Sequence, residues 1–124
     1  MAKRVLDVGQ CNPDHASISR LLSENFDVEI HRATSHAEAI GMAKSSSFDL
    51  ILINRILDAT GTSGTEIIEA LKADPTTSEM PVALVSNLED AQATAEQKGA
   101  VPGFGKAALN DPATIDVLRP WLAS

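Results

Sequence analysis

The stretch FDLILIN, residues 48–54, constrains the fold of this chain more than any other. It is a continuous apolar run bounded by polar residues, the pattern of a strand buried on both faces of a parallel sheet. The remaining sequence alternates as such a sheet requires. RVLDVG (4–9), DVEIHRA (27–33), MPVALVS (80–86) and the glycine-interrupted VPGFGK (101–106) read as strands, with DVEIHRA alternating like a half-buried edge. Helical segments separate and follow them: 12–25, 35–46, 63–75, 88–100 and 110–124. Strict alternation of this kind predicts an α/β fold, a doubly wound five-stranded parallel sheet with helices on both faces, because each crossover is right-handed.

Local signals place the helix ends. Asn12 is the expected N-cap of the first helix, with Pro13 at its first position and Ile18, Leu21 and Leu22 as its apolar stripe. Ser35 and Glu38 have capping-box spacing, and so do Ser63 and Glu66. Ala37, Ile40 and Ala43 are expected to face the sheet. In the last helix Ile115, Leu118, Trp121 and Leu122 form the buried stripe, and Pro120 should strain or end it.

A length of 124 residues suits one domain spanning residues 1–124, with no effector domain expected after it. The net charge of −7, with no basic run, disfavours nucleic acid as a partner. Cys11 is the one cysteine, so no internal disulfide forms. No apolar run is long enough to cross a bilayer and no signal peptide is visible, so a cytoplasmic location is expected.

Ligands of doubly wound sheets bind beyond the carboxyl ends of the strands. Here those ends are 9–12, 54–57, 86–87 and 105–106. FDLILINRIL, MPVALVSN, GFGKA and VGQCNPDH, followed in order through nearly the whole chain, resemble the receiver domain of two-component response regulators. The resemblance implies a flavodoxin-like, receiver-type fold in phosphorelay signalling. It puts Asn54 at the phosphoacceptor position and Gln10 and Cys11 at the acidic-pocket positions. Ser86 and Lys106 match the residues that hold the phosphoryl group, and Gly103 falls where an aromatic switch residue stands.

An amide is no phosphoryl acceptor, and magnesium prefers anionic oxygen ligands. Gln10, Cys11 and Asn54 leave no carboxylate at those positions, and Lys106 would add unopposed positive charge. The expectation is therefore a pseudo-receiver: not an enzyme, without cofactor, its magnesium binding lost or weak. It would act through contact with a signalling partner, a histidine kinase or another phosphorelay component. The resemblance suggests residues 91–98, 101–105 and 110–122 as the contact face. A conventional regulator using a displaced acid such as Asp58 is the alternative, and a flavodoxin-like cofactor binder or enzyme is a third reading. GQCNPD lacks the spacing of a phosphate-binding glycine loop, which counts against that third reading.

Other candidates have plainer readings. Cys11 sits where a helix start and Lys106 would favour a thiolate, yet a small half-buried residue explains it as well. Asp14 and His15, which with Cys11 resemble a metal cluster, are expected to be exposed in the first helical turn. His31 and His36 read as isolated surface residues, and Asp7 as a mid-strand acid away from the pocket. Ser86 and Lys106 could still hold an anion with help from backbone amides.

Overall fold

A computed structural model describes residues 2–123. The chain runs β1 (Lys3–Val8), α1 (Asn12–Asn25), β2 (Val28–Ala33), α2 (His36–Ser45), β3 (Leu50–Asn54), α3 (Gly64–Ala73), β4 (Val82–Val85), α4 (Glu89–Gln97), β5 (Val101–Phe104) and α5 (Pro112–Leu122), with a 3-10 turn at Lys106–Ala108. The five strands form one sheet in the order β2-β1-β3-β4-β5, all neighbours parallel. The strand read as central is central, and the one read as an edge is an edge.

Strand side chains alternate between faces, and the two cores follow that period. Leu6, Val8, Ile51, Ile53, Val82 and Leu84 pack on one face with Ala39 and Ala43 of α2, Ile67, Ile68 and Leu71 of α3, and Ala95 of α4. Val5, Leu50, Leu52, Ala83, Val85 and Phe104 pack on the other with Ile18 and Leu22 of α1 and Leu118 and Leu122 of α5. The side chains from Leu50 to Ile53 are fully buried. Each such burial contributes about 1.5–3 kcal/mol, so this strand anchors both layers.

Several local expectations are corrected. Cys11, not Asn12, is the N-cap of α1; it makes no side-chain cap bond, and its carbonyl accepts the first helical bond from His15 N. Half of the Ser35 capping box forms: Glu38 N donates to Ser35 Oγ at 3.1 Å, while Glu38 Oε1 accepts from Thr34 N at 2.7 Å instead of from the cap's own N–H. The one at Ser63 does not, since its hydroxyl bonds the Thr65 hydroxyl instead. On α2 the sheet-facing alanines are Ala39 and Ala43, while Ala37 is exposed. In α5 the buried positions are Thr114, Leu118 and Leu122, with Ile115 and Trp121 half-buried. That helix continues through Pro120 to Leu122, because a proline so near the end removes only one of its last bonds.

Candidate functional site

Gly9, just after β1, has φ +79°, a conformation that glycine adopts without strain. A Cβ there would strike the Leu57 side chain, so only glycine lets the β3–α3 loop close over the strand end. The Gly9 carbonyl then accepts two hydrogen bonds, from Asp58 N at 2.9 Å and from Asn54 Nδ2 at 3.0 Å. The amide at the end of β3 is thus a donor that ties two strand ends together. A carboxylate at position 54 would face that carbonyl with no proton to give.

Beside this tie lies an open cleft of about 290 Å3, lined by Asn54, Arg55, Val85, Ser86, Asn87, Leu88 and Lys106. It brings together three of the residues singled out in the sequence: Asn54, Ser86 and Lys106. Among the described residues, no carboxylate lines it. Ser86 is 9% exposed, and its Oγ accepts from Leu88 N at 3.1 Å, so the hydroxyl proton stays available. Asn87 Oδ1 accepts from Ala107 N at 3.0 Å and fixes the turn after β5.

Lys106 is not unopposed. Its ammonium lies 2.7 Å from Asp14 Oδ2, and that bond holds the Asp14 carboxyl below its usual range. Asp14 and His15 are half-buried rather than exposed, since the first turn of α1 points both side chains inward. His15 Nδ1 lies 2.6 Å from Oδ2 of Asp7, a carboxylate with no solvent exposure. Burial pushes the Asp7 carboxyl up, and contact with His15 opposes that, with smaller help from Gln10 and Arg32.

Gln10 and Cys11 do not join the cleft. Gln10 is buried, and neither polar atom of its amide has a hydrogen-bond partner; it lies near enough to Asp7 to favour the ionised form without a well-formed bond. Cys11 is half-buried at the helix start beside Asp14, which already claims the cation expected to favour a thiolate. Asp58 is exposed on the loop and contributes only its backbone N–H to the site. Among the described residues, no three His, Cys, Asp or Glu side chains are grouped to hold a metal. His31 is not isolated either: Glu29 Oε2 is 2.6 Å from its Nε2, and its ring meets Phe48 edge-on.

At β5 the register with β4 slips, Ala83 pairing Val101 and Val85 pairing Phe104. The extra residue puts Phe104 on the α1/α5 core and leaves Gly103 facing α4. A Cβ at 103 would collide with the Leu84 carbonyl and crowd Gln92. Gln92 fills the space: its Nε2 donates to Leu84 O at 2.8 Å and to Ser86 O at 3.1 Å. Sequence reasoning missed Gln92 and the Asp7–His15 pair. The second left one trace, a lone acid on the α1-facing side of an apolar strand; Gln92 left none.

No family model matches this chain, and no curated protein does. Solved structures do. The phosphorylated cyanobacterial phytochrome response regulator RcpA is 22% identical, with all of both chains covered and a TM-score of 0.79. The Vibrio cholerae chemotaxis protein CheY4 is 19% identical over 98% of this chain and 100% of that one, again at 0.79. The signal receiver domain of a histidine kinase from Syntrophus aciditrophicus is 18% identical over 99% and 95%, with a TM-score of 0.73. The chain therefore has the flavodoxin-like fold of response-regulator receiver domains.

Proposed function

We propose that this protein is a pseudo-receiver of phosphorelay signalling, one receiver-like domain that takes no phosphoryl group and acts by binding a signalling partner. The carrying observation is the end of β3. Asn54 is an amide engaged with Gly9 O, in a cleft that no carboxylate lines. Such a cleft offers neither a carboxylate nucleophile nor the hard anionic ligands that magnesium prefers, and Arg55 adds positive charge. The domain works as a binding module rather than an enzyme, with a histidine kinase or another phosphorelay component as its partner.

A second feature supports the reading. The position of the receiver's aromatic switch is Gly103, and Gln92 occupies the space a rotating ring would need. Signalling here thus rests on which partner is bound. Incubation with a small phosphodonor and magnesium tests the reading by mass spectrometry. The intact mass stays unchanged; an acid-stable, base-labile adduct refutes the reading, and its persistence or loss in Asp58→Ala shows whether Asp58 carries it.

A further inference from the structure

Building on that reading, we propose that the cleft receives a carboxylate side chain from a partner protein, presented on a short segment with aliphatic residues beside it. Among the described residues the exposed large hydrophobics are Ile56, 40% exposed, and Leu88, 52% exposed. Leu88, the N-cap of α4, lines the cleft, and Ile56 follows Arg55, which also lines it. An exposed apolar side chain at the edge of a polar hollow suits a small docking site.

The charge inside specifies the guest. Arg55 makes no ion pair among the described residues, whereas Lys106 is matched by Asp14 at 2.7 Å. The mouth therefore holds about one uncompensated positive charge on a chain of net charge −7. A monoanionic carboxylate balances it; a dianionic phosphate would leave an excess of negative charge next to Asp14. The Ser86 hydroxyl, with its proton free, supplies a donor. At about 290 Å3 the open cleft has room for a side chain. Asn54 matters here because an aspartate in its place would repel the incoming group.

The test is an NMR titration of the isotope-labelled protein with a capped Ala-Leu-Asp-Leu-Ala peptide, with its asparagine counterpart, and with inorganic phosphate. The aspartyl peptide should shift the backbone amides of Arg55, Ser86, Leu88 and Lys106 and saturate. The asparagine peptide should bind about tenfold more weakly or worse, the loss of one charge-assisted contact. Arg55→Glu should weaken binding by a similar factor and Leu88→Ser by several-fold, both at exposed positions where folding is preserved. Equal binding of the two peptides, no shifts at the cleft, or phosphate binding as tightly as the peptide overturns the inference. Phosphodonor labelling separates the two readings: an adduct refutes the pseudo-receiver itself, while no adduct and no peptide binding refutes only the docking site.

Discussion

Replacing His15 by alanine should unmask the buried Asp7 charge, and the size of the effect is set by pH. Asp7 has no solvent exposure, and among the described residues His15 Nδ1, 2.6 Å away, is the side-chain partner within hydrogen-bond geometry. In His15→Ala the carboxylate must either stay charged and unpaired, or take a proton. Protonating a group whose unfolded pKa is about 3.9 costs about 1.4 kcal/mol for each pH unit above that value. The penalty therefore has a ceiling of about 3 kcal/mol at pH 6 and about 1.5 kcal/mol at pH 5. The double variant Asp7→Asn/His15→Ala carries the same lost imidazole without the charge, so the difference between the two isolates the carboxyl. Unfolding entropy of about 2.1 cal/mol/K per residue over 124 residues makes 1 kcal/mol worth about 4 °C in Tm.

The sign follows from the direction of the shift. Burial raises the folded pKa above the unfolded one, so the ionised carboxyl subtracts stability at neutral pH. That loss is relieved as pH falls through the folded value toward 3.9. Melting curves of both variants from pH 5 to pH 8 are the assay. The double variant should melt higher, by up to about 12 °C at pH 6, and that ceiling falls to about 6 °C at pH 5. A gap that does not change with pH would refute the account of Asp7 as a buried charge held by His15.

Gln92→Ala should cost about 1–3 kcal/mol in a denaturant titration, because the Leu84 and Ser86 carbonyls lose the amide that covers them. Asn54→Asp should lower Tm by roughly 4 °C at pH 7, the loss of about one hydrogen bond to Gly9 O, and added magnesium should neither restore it nor permit labelling by a phosphodonor. The Asp74 carboxyl should titrate by NMR at about 2, since the Thr76 N–H and hydroxyl and then Lys44 stabilise its charge. The stability this carboxylate contributes is present above pH 4 and lost as pH falls toward 2. Lys44→Ala should leave most of that shift in place, because the Thr76 bonds are its larger cause.

The sequence by itself determined the architecture, because hydrophobic period is local. Residues 50–53 are apolar without a break and must be covered on both sides, and five alternations of strand and helix leave few ways to do it. It also placed Asn54, Ser86 and Lys106 at strand ends that the topology brings together. Only the tertiary structure decided who pairs with whom. Asp14 neutralising Lys106 spans 92 residues of chain, from 14 to 106, and depends on α1 lying against the end of β5. Asp7 meets His15 because the first turn of α1 folds back over β1. The role of Gln92 rests on a register slip in β5, which no periodicity encodes. Exposed Ile56 and Leu88 look like any other apolar residues in sequence, and only burial tells them from the core. Backbone period is written residue by residue, while a side chain's partner is set by distances between elements that the folded chain alone fixes.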